Sequence, residues 1–289
     1  MNKVEYHQLL AVAIRAALKA GRAIMQVYDG IMEIEEKPDG TPITLADRNA
    51  NDIICGLLSG SPYPIISEEN SEVPFATRSG WPYCWIVDPL DGTREFISRN
   101  GEFTVNIALI HEAQPVLGVI HAPASGRTWF TGDQHSVFHI RDCTQPGDLS
   151  QIRCMEDVFQ HAEELTKTAQ QVSTAPVLMH SRSHLDRRTQ ALVNMLSEKE
   201  RALVVRARGS SLKFCDLAAK TATWYPRYST TCEWDTAAGH AILRAAGGEV
   251  FDLEKRQPLH YNKETLINPP FMAFSEKSEA SSFFSEFSL

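Results

Sequence analysis

The run W-I-V-D-P-L-D-G-T, Trp85 to Thr93, decides how the rest of the chain is read. Trp85-Ile86-Val87 is apolar and β-prone, which predicts a buried strand. That strand ends in acid. Asp88 and Asp91 stand three residues apart, with Leu90 between them and a Gly92-Thr93 step behind. The carboxyl end of a strand is where α/β sheets carry their sites. Two carboxylates and the Leu90 carbonyl form an oxygen-only donor set for a hard cation, and Mg²⁺ is the hard cation that accompanies phosphates. On its own, the hexapeptide Asp88 to Thr93 also fits a Pro-x-Asp-Gly surface turn.

Two further segments repeat the pattern. Pro64-Ile65-Ile66 runs into Ser67-Glu68-Glu69-Asn70, and Trp234 is followed by Asp235 at the start of an Ala- and Leu-rich stretch that stops at Gly247-Gly248. The latter predicts a helix from about Thr236 to Ala246. Separately, Glu68-Glu69 reads as a solvated loop and Asp235 as a helix cap. Together they offer Glu68, Asp88, Asp91 and Asp235, each just after an apolar or aromatic run. Four converging carboxylates repel one another and raise their own pKa values, and divalent metals relieve that repulsion.

These segments resemble the inositol monophosphatase superfamily of Mg²⁺-dependent, lithium-sensitive phosphatases. The likeness runs from Gly21-Arg22-Ala23-Ile24-Met25 to about Asn268-Pro269. It is densest at Trp85 to Ile110, at G-S-S-L-K-F-C (Gly209 to Cys215) and at W-D-T-A-A-G-H-A (Trp234 to Ala241). R-N-G-E-F-T-V-N-I-A-L and G-S-S-L-K-F point to its 3′(2′),5′-bisphosphate nucleotidase branch. The resemblance implies a layered αβαβα sandwich. An N-terminal α+β lobe (1–140) holds a large, mostly antiparallel sheet between helix pairs. A polar insertion (141–175) leads to a C-terminal α/β lobe (176–289), and the metal site lies at the lobe junction.

The resemblance also implies two or three Mg²⁺ ions per site. One lies on Glu68, Asp88 and the Leu90 carbonyl, and another on Asp88, Asp91 and Asp235. It assigns Thr93 and Asp47 to orienting the attacking water, where Asp47 alone would read as a first-turn acid favoured by the helix dipole. The Gly92 and Thr93 amides suit a phosphate oxygen. Ser210 and Lys213, read as sharing a face at the start of a helix over Ser211 to Ala222, and Arg227 in W-Y-P-R-Y suit a second, uncleaved phosphate. His184 matches a position beside the nucleobase or its phosphate, although a lone His is more often structural. Glu69 reads as a supporting residue. No Ser-His-Asp or Cys-His arrangement points to a covalent intermediate.

The implied reaction is hydrolysis of adenosine 3′,5′-bisphosphate to AMP and phosphate, with 3′-phosphoadenylyl sulfate as a second substrate. Two other readings stand beside it: a phosphatase of inositol phosphates or fructose bisphosphate, and a non-catalytic nucleotide-binding regulator.

Composition bounds these readings. A chain of 289 residues buries a large core, and a net charge of −8 disfavours non-specific nucleic-acid binding. No apolar run is long enough to span a bilayer, and the N-terminus lacks a signal-peptide layout. Six scattered cysteines without a C-x-x-C pair suit reduced thiols. The expectation is a cytoplasmic enzyme, free or peripheral at the inner face of the membrane as in bacterial relatives, and a monomer or homodimer. The recurrence of Leu10, Ile14, Ala17, Leu18, Gly21 and Ile24 predicts a long helix. The Ser-, Glu- and Phe-rich tail after Phe271 reads as frayed.

Overall fold

The computed structural model describes residues 1–30, 44–133, 135–143, 152–165, 175–183, 185–199 and 202–286, and the backbone of 34–36 and 42–43. Helix α1 (Lys3–Tyr28) opens with the Asn2 side chain accepting the Glu5 N–H, and its Leu10, Ile14 and Ala17 stripe is fully buried. A short antiparallel pair, β1 (Ile34–Glu36) and β2 (Pro42–Thr44), leads into α2 (Leu45–Leu58).

A seven-stranded sheet follows in spatial order β3 to β9. Its strands are β3 (Ile65–Ser67), β4 (Tyr83–Asp91), β5 (Thr104–His111), β6 (Gln114–Ala122), β7 (Arg127–Thr131), β8 (Val137–Ile140) and β9 (Glu163–Glu164). Only β3 and β4 are parallel; the other neighbours are antiparallel. Helices α3 (Phe75–Arg78), α4 (Thr93–Ile97) and α5 (Met155–Phe159) lie in its connections.

The second sheet has six strands in the order β11-β10-β12-β15-β13-β14. They are β10 (Val177–Ser181), β11 (Val204–Arg208), β12 (Trp224–Arg227), β13 (Glu249–Asp252), β14 (Gln257–Pro258) and β15 (Phe271–Phe274). Among the described residues, four helices complete this part: α6 (Arg187–Lys199), α7 (Leu212–Ala218), α8 (Glu233–Ala245) and α9 (Glu279–Glu286).

Strand alternation sorts the core into layers. Trp85, Val87, Val105, Ile107 and Leu109 face α1 and α2, while Cys84, Ile86, Ala108 and Ile110 face α7 and α8. On the second sheet Tyr225, Phe271 and Ala273 meet that same middle layer, and Trp224, Met272 and Phe274 face α6 and α9. The result is the αβαβα sandwich. Helix α8 lies tight against the large sheet because Gly118 has no side chain: a Cβ there would meet the Ala238 carbonyl at 2.5 Å.

Three readings from sequence change. The tail after Phe271 is ordered through residue 286: β15 is an inner strand of the second sheet, and α9 buries Ala280 and Phe283. Polar composition masked a phenylalanine stripe that needs cover. Residues 163–164 of the polar insertion add the edge strand β9, and Met155 and Val158 join the core beside α1. Finally, α7 is short, and Ser210 stands before it rather than on it, with φ of 43°.

Candidate active site

A bulge builds the site. Asp88 pairs with Asn106 and Asp91 with Thr104, so β4 takes three steps while β5 takes two. In a regular strand, residues three apart face opposite sides; the extra residue turns both carboxylates toward one cleft. Pro89 sits within the bulge, where a missing N–H is tolerated. Gly92 then takes φ of 92°, a left-handed turn that only glycine adopts freely, and Thr93 starts α4.

Asp235 arrives from the opposite side, in the first turn of α8, where its Oδ2 accepts the Cys232 N–H at 2.7 Å. It is the third residue of the helix, and Cys232 holds the cap position. One carboxylate oxygen from each of Asp88, Asp91 and Asp235 lies within 4.8 Å of the others. Glu68, just after β3, and Leu90 line the same cleft, whose volume is about 240 Å³.

Electrostatics are unfavourable as built. Burial pushes Asp88 well above the ordinary carboxylate range, and the charges of Glu68, Asp91 and Asp235 push it further. Burial also raises Asp91, against the opposing pull of Lys213 and hydrogen bonds from Ser211 and Asn106. Asp235 is pushed up to about 8, by burial first and then by Asp91. Asp88 Oδ1 accepts the Leu90 N–H at 3.0 Å, but its buried Oδ2 has no partner. A buried carboxylate oxygen without a donor is costly. An all-oxygen cluster with that deficit fits a hard divalent cation.

Asp47 plays two parts at once. Its Oδ2 accepts both the N–H and the hydroxyl of Thr44, each at 2.7 Å, and so caps α2. Its Oδ1 lies 3.5 Å from Thr93 Oγ1, which is also 3.5 Å from the Leu90 carbonyl. The first-turn acid and the Thr93 partner are therefore the same residue. Burial raises Asp47, and the charge of Glu69 adds to the rise.

The same cleft is lined by Ser210, Lys213 and Arg227, with Ser210 beside Gly92. Ser210 Oγ and Arg227 Nε are buried without partners. Lys213 is bound differently from a free phosphate clamp: Nζ donates to the carbonyls of Ser210 at 2.5 Å and Arg208 at 3.2 Å, and lies 5.0 Å from the Tyr225 ring centre. Burial lowers its pKa to about 8. His184 lies outside the described residues.

Several neighbours escaped sequence reading. Ser211 lies 2.8 Å from Asp91 Oδ2 and 3.0 Å from the Asp235 carbonyl, and its hydroxyl accepts from Asn106, so it ties the two acid-bearing segments together. The signals were a second serine in G-S-S-L-K and an asparagine inside the apolar run Phe103 to Ile110. Arg94, Tyr225 and Thr231 also line the cleft.

The sequence profile of the Inositol monophosphatase family matches residues 5–283. The chain belongs to the inositol monophosphatase family. Within it, the 3′(2′),5′-bisphosphate nucleotidase CysQ of Salmonella typhimurium is 39% identical over 275 residues, 91% of this chain and 98% of that protein. The CysQ of Buchnera aphidicola is 43% identical over 249 residues, 85% of this chain and 84% of that protein. The crystal structure of CysQ from Bacteroides thetaiotaomicron, a bacterial member of the same family, aligns at a TM-score of 0.84 with 40% identity, covering 94% of this chain and 99% of that one. The family is metal-dependent, in keeping with the acidic cluster. Among the described residues, no helix is long and apolar enough to cross a membrane.

Proposed function

We propose that this chain is a Mg²⁺-dependent phosphoric monoester hydrolase that removes the 3′-phosphate of adenosine 3′,5′-bisphosphate, and of 3′-phosphoadenylyl sulfate as a second substrate. One observation carries the reading. One cleft holds both the acid cluster and Ser210 and Arg227, whose Oγ and Nε are buried without partners. A ligand that satisfies both sets has one phosphoryl group for the metals and a second anion for Ser210 and Arg227. Full-length likeness to proteins named bisphosphate nucleotidases supports it.

Glu68, Asp88, Asp91, Asp235 and the Leu90 carbonyl would hold two or three Mg²⁺ ions. Bound there, Mg²⁺ neutralises phosphate charge and lowers the pKa of water. The chain's own residues do the remaining work. Thr93 would donate its hydroxyl hydrogen bond to Asp47 and accept one from the attacking water; as Thr93 Oγ1 takes the water proton, its own proton would pass to Asp47. The Gly92 and Thr93 amides would donate to a phosphate oxygen. Arg227 and Ser210 hold the 5′ group. Lys213 fixes the Gly209–Ser210 turn and adds positive charge behind it.

The test is phosphate release with Mg²⁺ from adenosine 3′,5′-bisphosphate, 3′-AMP, inositol 1-phosphate and fructose 1,6-bisphosphate side by side. The reading predicts the nucleotide bisphosphate ahead of all others, with AMP as product. Equal or better turnover of the inositol or sugar phosphate would replace it.

A further inference from the structure

We infer that Glu102 sets substrate selectivity as a positioning residue, by holding the Gly209–Ser210 turn against the cleft. The inference deepens the nucleotide reading and rests on it. Glu102 precedes β5 in the first sheet, yet its partners Arg182, Arg208 and Gly209 lie at or just past the ends of strands of the second. Its Oε2 accepts the Gly209 N–H at 2.7 Å. Arg182, just past β10, grips it with two prongs at 2.7 and 2.9 Å, and Arg208, ending β11, reaches it at 3.3 Å. Burial works against its charge, but these hydrogen bonds and arginines outweigh burial and hold the carboxyl below its ordinary range.

The turn it holds is conformationally expensive. Ser210 sits at φ of 43°, which L-residues avoid. Gly209 cannot be larger, since a Cβ would come within 2.7 Å of both Cβ and the carbonyl of Glu102. Glu102 takes the turn's amide from one side while Lys213 Nζ takes the Arg208 and Ser210 carbonyls from the other. Without that grip the turn relaxes, and the buried, unpartnered Ser210 Oγ leaves its place beside Gly92. The bulge and α8 place the acids, and Ser211, next in the chain, keeps its own bonds to Asp91 and to the Asp235 carbonyl. Loss of Glu102 therefore falls more heavily on Ser210 and the second phosphate than on the first.

Glu102→Gln keeps an acceptor and removes the charge; Glu102→Ala removes both. We expect kcat/KM for adenosine 3′,5′-bisphosphate to fall about 10-fold in the first and more in the second, mainly through KM, the size of one charge-assisted hydrogen bond. Turnover of 3′-AMP should stay within about twofold, and amide exchange over 209–213 should speed up. Arg182→Gln, on a half-exposed side chain, should give a smaller loss in the same direction. A wild-type preference for the bisphosphate that survives in all three variants overturns the role of Glu102 alone. Equal losses on both substrates overturn it too, as a general structural effect. A wild type with no preference sinks the nucleotide reading, and the selectivity role with it.

Discussion

Helix α8 carries two buried acid networks a turn apart, built in opposite ways. At its first turn, Asp235 meets Asp91 and Asp88 with too few donors, one oxygen orphaned, and every pKa raised. Further along, His240 Nε2 meets Glu249 at 2.5 Å and its Nδ1 meets the Tyr261 hydroxyl at 2.9 Å. Lys277 and Arg244 flank the same carboxylate, at 3.4 and 4.0 Å. Burial opposes the Glu249 charge, but His240 overcomes it and holds the pKa at about 2. One network is satisfied within the chain and contributes to stability. The other is left unsatisfied within the chain, a deficit that suits a bound cation. A buried acid is thus diagnostic of function by its missing partners, not by its burial.

Four outcomes would break or sharpen that contrast. The largest concerns the unsatisfied acids. Asp88→Asn or Asp235→Asn should lower kcat by about 10³-fold or more, the several kcal/mol that metal charge supplies. The same substitutions should leave the melting temperature of the chelated protein unchanged or higher, because they remove repulsion. Calorimetry showing marked destabilisation instead would make these acids structural.

Next in size is the water-orienting pair. Thr93→Val should cost about 10²-fold in kcat with little change in KM. Asp47→Asn should match it, with some loss of stability from the weakened α2 cap. If the double variant loses the product of the two factors, the residues do not act as one unit.

Arg227→Ala should reduce kcat/KM for the bisphosphate by about 10- to 100-fold and barely affect 3′-AMP. Lys213→Ala should give a similar selectivity loss together with faster exchange in the 209–213 turn, because its Nζ is bonded to that turn's carbonyls. Steady-state kinetics on both substrates would show an equal fall if either residue served only the scissile phosphate.

The smallest effects are in stability, and they run in opposite directions with pH. In chelator, Asp235 keeps a proton when folded until about pH 8, whereas its ordinary value is 3.8. The folded state binds the extra proton, so stability should fall as pH rises through that window. Glu249 does the reverse. Its folded value of about 2 lies below the ordinary 4.5, so its contribution is complete above 4.5 and is lost as pH falls toward 2. Asp235→Asn should flatten the first slope and Glu249→Gln the second. The latter should also lower stability by about 1–3 kcal/mol at neutral pH without reducing activity. Thermal melts across pH read all of these.

The legible parts of this molecule were those set by local pattern. The α1 stripe, the strand ending at Asp88 and the helix bearing Asp235 are visible because periodicity and acid placement coincide within a few residues. What stayed hidden depends on distant partners. Nothing local marks Phe271–Phe274 as an inner strand, because its neighbours in the sheet are β12 and β13. Ser211 reveals its role only when Asp91 and Asp235 meet over it. The left-handed Ser210 is likewise imposed by Glu102 and Lys213, from either side of a turn that sequence spacing reads as helix.

The most direct test is phosphate release from adenosine 3′,5′-bisphosphate, measured with Mg²⁺ and with excess chelator, in the wild type and in Asp88→Asn. Release should be rapid with Mg²⁺, fall to background in chelator, and be absent from the variant at every Mg²⁺ concentration. Substantial turnover in chelator, or an active Asp88→Asn protein, would contradict it.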